Sequence, residues 1–322
     1  MEEVRRCVIF QVKILITDHL HEDAINSLST YRDISFDYMP EISKEHLLNI
    51  IEYYDGLIAR DRTKITGEIL DRAKKLKVIV RAGSGLDNID LEKASILGIK
   101  VMNVPSEIAD SVAELTIGLM IMLSRKLYKA VESLKKGEWI KNQLIGRELR
   151  DKKIGIIGVG NIGSKVARLA YCFGMKPLLR DIIKLDEEFV RRVNGEVVTL
   201  DELLKESDYV TLHVPLTKST QRMISERELK LMKETAFLIN TARGKVVDHE
   251  ALYKALVNGW IAGAALDVYE VEPPAGLELL RLENVICTPH IGAQTVEARR
   301  RASIKAIQLA VDYLQQVICR EI

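Results

Sequence analysis

The chain has 322 residues, of which 47 are basic and 46 acidic, for a net charge of +1, and 47% are hydrophobic. That length suggests about two domains, and so even a charge balance leaves no basic excess with which to hold nucleic acid or an anionic membrane. The four cysteines, Cys7, Cys172, Cys287 and Cys319, stand far apart with no CxxC pair, so no metal site or disulfide framework is expected and they read as buried thiols in a reducing compartment.

The opening MEEVRRCVIFQVKILI begins acidic, and Gln11 and Lys13 interrupt its apolar run, so no signal peptide is expected. The longest uncharged apolar stretch, residues 115–124, falls well short of the ~20 residues of a membrane span. A soluble cytoplasmic protein is the expectation. Between residues 12 and 104, VKILIT, ISFDY, GLIAR, KVIVRAG and IKVMNV read as strands. Helix-like HEDAINSLST, KEHLLNIIEYY, TGEILDRAKKL and LEKASILG separate them. Such alternation calls for a parallel sheet covered by helices. A long apolar helical stretch, 108–123, follows, then a helical pattern over 127–139 that ends in a GEW turn.

The alternation restarts at KIGIIGVGNIG, residues 153–163. The apolar run 154–157 reads as a buried strand, and GxGxxG at its end, before residues 164–173, reads as a tight turn into a helix that a dinucleotide could occupy. Gly158 lets the chain turn, Gly160 removes a Cβ where a pyrophosphate would approach, and Gly163 lets helix and strand pack closely. Asn161 and Ile162 complete the loop, and the helix N-terminus offers unpaired amides to the anion. Asp181 ends the next apolar run, 18 residues beyond Gly163 (181 − 163), close to the ~20 at which an acidic group meets the adenosine ribose. That favours NAD over NADP, while Arg180 beside it leaves a 2′-phosphate open.

Further strands are expected at KPLLRD, GEVV, YVTLHVP, AFLINTARG, IAGAALDVYE and VICTPHIG, with capping boxes at Thr199/Glu202 and Ser225/Glu228. The amphipathic helix 295–317 has no strand to return to, so it is expected to pack on the first domain. The expected fold is α/β, with two domains that are each a parallel sheet flanked by helices: residues 1–103 with 293–322, and a doubly wound nucleotide domain, 104–292.

In open α/β sheets ligands bind outside the carboxyl ends of the strands. In the second domain those ends carry Gly158, Asp181, His213 with Pro215, Asn240 with Thr241 and Arg243, Asp267 with Glu272, and His290. Taken singly, Arg243 is also readable as a solvated loop charge, Glu272 as a turn residue before Pro273, and either histidine as a structural hydrogen-bonding group. His19, His21, His46 and His249 lie in helix-start or helical surface contexts and read as solvated. Together, a histidine, a guanidinium and a carboxylate on a dinucleotide rim suit hydride transfer between nicotinamide and a carbinol carbon. The histidine, with an ordinary pKa near ~6.5, takes the hydroxyl proton, and the arginine fork grips a carboxylate in two places.

These residues resemble the D-isomer-specific 2-hydroxyacid dehydrogenases over nearly the whole chain. The likeness runs through RAGSGLDNID (81–90), VMNVP (101–105), SVAELTIGLM (111–120), the glycine motif, HVPLT (213–217), INTARG (239–244), ALDVYEVEPP (265–274) and TPHIG (288–292). The resemblance implies a Rossmann-type NAD domain and a flavodoxin-like substrate domain, with substrate in the cleft between them. It implies Arg243 as the substrate-binding arginine, His290 as the catalytic histidine and Glu272 as its carboxylate. Ser84 and Gly85 would bind the substrate carboxylate through backbone amides, with Asn103 nearby, and Asp267 would hold the nicotinamide carboxamide. It also implies a homodimer formed through the helices at about 108–139.

Within the family, LIARDRTKIT (57–66) leans towards the serine-pathway branch that oxidises D-3-phosphoglycerate, with Arg60 and Arg81 as phosphate-binding cations. Both are also readable as cleft-lining or ion-paired residues. The chain ends after the return helix, so feedback through a C-terminal regulatory domain is not expected. Reduction of glyoxylate or hydroxypyruvate on the same scaffold is the nearest alternative, and an NADH-sensing corepressor-like scaffold a remote one.

Overall fold

The structure is a computed structural model in which residues 12–321 are described. Cys7 lies outside them. The chain divides into two compact units, one holding the described residues up to Ile108 and those from Thr295 onward, the other holding Ala109–Gln294. The breaks thus fall a few residues beyond the expected 103/104 and 292/293. Val104 still donates its amide to Gly83 at 3.0 Å at the edge of the first sheet, and Gln294 donates to Ile291 at 2.8 Å in the loop that closes the second unit.

In the first unit, β1 (Val12–Ile16), β2 (Ile34–Tyr38), β3 (Gly56–Ala59), β4 (Val78–Arg81) and β5 (Lys100–Asn103) pair in parallel in the order β2-β1-β3-β4-β5. This is the flavodoxin-like order of a doubly wound sheet. Because side chains alternate across a strand, Ile14 and Ile16 join one apolar layer and Leu15 the other. On the first face lies the long helix Val296–Glu321, whose Ala306, Ala310 and Leu314 pack with Ile58, Val78 and Val80. Its close approach depends on Gly56, where a Cβ would stand 3.0 Å from Leu314. On the other face, Leu47, Ile69 and Ala94 from three short helices cover Leu57 and Ile79.

In the second unit, β6 (Lys153–Ile157), β7 (Lys176–Arg180), β8 (Glu196–Val197), β9 (Tyr209–Leu212), β10 (Phe237–Asn240), β11 (Gly263–Leu266) and β12 (Val285–Cys287) are parallel in the order β12-β11-β10-β9-β6-β7-β8. Counted from β6, this is the dinucleotide-binding order with one strand added, and the order reverses between β6 and β9. Ligands of such sheets bind at that crevice. The helix Ala109–Arg125 covers one face, and its Ser124 hydroxyl lies 2.7 Å from the hydroxyl of buried Tyr209. The Thr199/Glu202 box closes reciprocally, and the Glu228 carboxylate accepts the Ser225 amide at 3.2 Å.

Two expectations need correction. Cys172 and Cys319 are exposed and Cys287 is only half-buried, because helix Gly163–Cys172 buries Val166, Ala167 and Ala170 and turns Cys172 outward. His249 is buried at 6% exposure, not solvated, because the first turn of helix His249–Val257 packs against Tyr269. No helix among the described residues is long and apolar enough to cross a membrane.

Candidate active site

The glycine turn stands at the carboxyl end of β6, where the strand order reverses. Gly158 has φ +90°, in the left-handed region that favours glycine, and a Cβ there would lie 2.8 Å from the His213 carbonyl carbon at the end of β9. A Cβ on Gly163 would meet the Gly158 carbonyl oxygen at 1.9 Å, so no larger residue fits without moving the turn. Gly160 is different: nothing lies within 4 Å of its Cβ position. The loop therefore has open space where a pyrophosphate would approach the backbone and the first turn of helix Gly163–Cys172. Asn161 and Ile162 shape that turn, with the Ser164 amide bonded to Gly160 and the Val166 amide to Ile162, both at 3.0 Å.

Asp181 follows β7 and turns back onto the glycine turn. Its Oδ2 accepts the Val159 amide at 2.7 Å, and its Oδ1 accepts the amides of Ile182 and Ile183 at 2.7 and 3.2 Å. Arg180 folds its guanidinium onto the Asp181 carbonyl. His213 pairs Nε2 with the Thr211 hydroxyl at 2.9 Å, and its Nδ1 is buried with no partner among the described residues. Burial pushes its pKa down to about 3, so the ring is neutral near neutral pH. Beyond it, the Pro215 carbonyl accepts from Thr220 at 2.6 Å, and buried Thr241 shares a 3.0 Å contact with Thr116. A reversal crevice, open space over Gly160 and a carboxylate at the next strand end together fit an extended dinucleotide.

At the far side of the same rim, His290 Nδ1 lies 2.8 Å from Glu272 Oε2. The Glu272 hydrogen bond raises the imidazole pKa above its ordinary value, helped by the charges of Glu272 and Asp267 and opposed by burial and Arg243. Burial alone would push the Glu272 carboxyl up, but His290, the Tyr269 amide and the Arg243 charge outweigh it and hold the group below its ordinary value. Arg243 thus lies within electrostatic reach of both members of the pair. Its backbone is fixed by Asn240, whose side-chain amide donates to the Arg243 carbonyl at 2.9 Å.

His290 has φ +53°, an uncommon conformation for a residue with a side chain. Asp267 holds the segment there. It is 1% exposed and accepts the Thr288 hydroxyl at 2.6 Å and the amides of Ile291 and Gly292 at 2.8 Å each. Burial raises its pKa, against those three bonds and the charge of His290. Its carboxylate therefore serves the histidine loop, a use that the strand-end reading did not foresee.

The first unit places its own candidate residues along one strand-end rim. Sheet register pairs Ala59 with Arg81 and Arg81 with Asn103, so Arg60, Arg81 and Asn103 stand on successive strand ends. The Arg60 amide donates to Asp18 at 2.5 Å, its Nη1 donates to the His19 carbonyl at 3.4 Å, and burial pushes its pKa down. Arg81 lays its guanidinium over Gly83. Asn103 donates its side-chain amide to the Ser84 carbonyl, fixing the loop that carries Ser84 and Gly85.

Sequence reading missed Tyr269 and Thr288. Tyr269 lies near the end of an expected strand, and only the end of β11 at Leu266 places it in the loop beside Glu272.

The sequence profile of the D-isomer specific 2-hydroxyacid dehydrogenase NAD-binding domain matches residues 117–292. The chain is 44% identical over 299 residues to a hydroxypyruvate reductase of Thermotoga maritima, covering 92% of this chain and 96% of that protein. It is 46% identical over 292 residues to a D-3-phosphoglycerate dehydrogenase of Methanocaldococcus jannaschii, covering 90% of this chain but only 55% of that protein. Among solved structures, a D-lactate dehydrogenase from Aquifex aeolicus, complexed with NAD and lactic acid, superposes with a TM-score of 0.83 at 34% identity, covering 94% of this chain and 96% of that one.

Proposed function

The chain belongs to the D-isomer-specific 2-hydroxyacid dehydrogenases, a family that binds NAD, and from that premise we propose that it oxidises D-3-phosphoglycerate to 3-phosphohydroxypyruvate. The observation behind the chemistry is the Glu272–His290 contact with Arg243 in electrostatic reach. Since Nδ1 faces Glu272, Nε2 is left to take the C2 hydroxyl proton as hydride leaves C2. Bound NAD supplies the hydride acceptor, held along Gly158–Gly163, Asp181 and the ends of β9 and β10. In the second unit Arg243 is the substrate-binding arginine; in the first unit the Ser84 and Gly85 amides, in the loop set by Asn103, are the carboxylate donors.

The register that puts Arg60 and Arg81 on adjacent strand ends supports a phosphate on C3, since guanidinium forks suit phosphate oxygens. Reduction of hydroxypyruvate is the second reading. Its support is that Arg60 is only 15% exposed in its side chain, already donates to His19 and lies 3.9 Å from Asp61. Rates with NADH on 3-phosphohydroxypyruvate, hydroxypyruvate and glyoxylate separate the two. Preference for the phosphorylated acid, lost in Arg60→Ala, supports the first; a preference for hydroxypyruvate unchanged by Arg60→Ala removes it. No turnover of any 2-oxo acid would leave only a cofactor-sensing role.

The assembly proposed with this function is a homodimer. Leu127, Val131 and Leu134, exposed by 40%, 53% and 62% on helix Leu127–Lys135, offer an apolar stripe for a second copy.

A further inference from the structure

The segments carrying Glu272, His290 and Arg243 meet at Tyr269. Its amide donates to Glu272 Oε1 at 3.1 Å, leaving Oε2 for His290. Its hydroxyl donates to the Thr288 carbonyl at 2.9 Å, with the Leu266 carbonyl at 3.2 Å as a second acceptor. The same Thr288 carbonyl accepts the His290 amide at 3.0 Å. On the third side, a Cβ on Gly244 would come within 1.9 Å of the Tyr269 carbonyl carbon, so the loop that begins at Arg243 rests directly on the Tyr269 backbone.

We propose that Tyr269 is a positioning residue for the reaction, holding the Glu272 carboxylate with its amide and the backbone of the His290 loop with its hydroxyl, so that imidazole and carboxylate stay at hydrogen-bonding distance. The proposal rests on the acid–base role given above to His290. Asp267 also holds the loop, through the Thr288 hydroxyl and the Ile291 and Gly292 amides, but no hydrogen bond among the described residues ties it to Glu272, whereas Tyr269 bonds both Glu272 and the His290 loop. The hydroxyl remains a donor throughout the working pH range, because burial pushes the phenol above its ordinary value. Cys287, Asp267 and Glu272 are the ionisable groups that face it, and the His249 ring lies edge-on 6.5 Å away. Those facing His290 are Glu272, Asp267 and Arg243. An ordinary core tyrosine would also find partners for its hydroxyl, so the decisive readout is the proton affinity of His290 and not stability.

The test is Tyr269→Phe, which keeps the ring and the amide and removes one hydroxyl. Reduction of the best 2-oxo acid is followed against pH, well below the variant's own melting temperature. The expected result is a kcat lower by roughly 10- to 100-fold, the scale on which small misplacements act, with KM for NADH and oxo acid within about threefold. The alkaline limb of the rate moves to lower pH. Because the hydroxyl acts by keeping His290 within reach of the Glu272 carboxylate, Tyr269→Phe/Glu272→Gln shows no further displacement of that limb beyond Glu272→Gln alone. Incorporating 3-fluorotyrosine at position 269, which keeps the hydroxyl, restores kcat. A Tyr269→Phe enzyme that melts earlier yet keeps kcat and the wild-type limb is a packing variant only, and overturns the proposal. If His290→Ala is as fast as wild type, the acid–base reading itself falls and takes the proposal with it.

Discussion

Asp267 and Gly292 are 25 residues apart in the chain, yet the Asp267 carboxylate accepts the Gly292 amide at 2.8 Å. With its bonds to Thr288 and Ile291, this spans the residue that carries the left-handed His290 backbone, a conformation costing a non-glycine about 1–3 kcal/mol. Asp267→Ala leaves two amides and a hydroxyl without their acceptor. The Gly292 bond is buried and the other two are part-buried; a buried group left unsatisfied costs about 1–3 kcal/mol, so urea unfolding should show a loss on that scale. As the loop relaxes, kcat should fall by roughly 100-fold. Asp267→Asn, which keeps one acceptor oxygen, should lie between. Unchanged unfolding and rate in Asp267→Ala would mean that the loop holds its shape unaided.

On the acid–base role proposed for His290, its pairing with Glu272 sets the pH dependence. Reduction needs protonated His290, so its rate is full below the histidine pKa and falls as pH rises through it. Oxidation needs the neutral ring and falls as pH drops through the same value. The Glu272 hydrogen bond raises that pKa above ~6.5, so Glu272→Gln should move both limbs to lower pH. Stability follows the same signs. The contribution through His290, whose folded pKa is raised, is full below ~6.5 and lost as pH rises through the folded value, whereas that through Glu272, whose folded pKa is lowered, is lost as pH falls through its own. With side chains 47% and 38% exposed, the pair contributes little to stability. The check is a pH-rate profile in both directions, and limbs at the same pH in Glu272→Gln would remove the carboxylate as their cause.

The glycine turn separates a binding defect from a folding defect. Gly160→Val places its side chain where nothing lies within 4 Å, so thermal unfolding without cofactor should change within about 0.5 kcal/mol, as for a surface substitution. NADH affinity, read by fluorescence titration, should fall by tenfold or more as the side chain occupies the approach to the backbone. Gly163→Ala meets the Gly158 carbonyl at 1.9 Å and should instead lower the melting temperature. Equal NADH affinity in Gly160→Val and wild type would place the pyrophosphate elsewhere.

What could be seen in advance follows from periodicity. Buried parallel strands are short apolar runs, so β1, β4, β6 and β9 announce themselves, and GxGxxG marks a turn where backbone must approach backbone. Strand ends could be guessed, which is why Glu272 and His290 were legible as candidates. Their pairing came from the family resemblance and not from spacing, since it depends on how the 267–272 and 288–292 loops fold against each other, and loop paths leave no periodic trace. The expected strand IAGAALDVYE stops at Leu266, which turns Asp267 to the histidine loop and Tyr269 beneath it. His249 was misread for a similar reason: a helix-start position is usually wet, but here Tyr269 covers it. Exposed Cys172 shows the converse, an apolar-looking residue on the outer side of an amphipathic helix.

Leu127, Val131 and Leu134 follow an i, i+4, i+7 spacing and so share one face of helix Leu127–Lys135. Met122 and Tyr128 join Leu127 and Val131 around a cavity of about 540 Å³ on the same surface, and Trp139 beyond the helix is 81% exposed. A stripe of this kind left in water forgoes roughly 25 cal/mol for each Å² that a partner would cover. Two copies related by a twofold axis would bring the same stripe together from both sides, so one substitution is felt twice. Val131→Glu puts a carboxylate on each side of that axis, and sedimentation equilibrium at micromolar concentration should shift from dimer towards monomer. The pH-rate limbs in the variant should stay where they are in wild type, because Val131 is far along the chain from every residue in the histidine loop and touches none of its hydrogen bonds. A wild-type chain that sediments as a monomer would leave the stripe to some other partner.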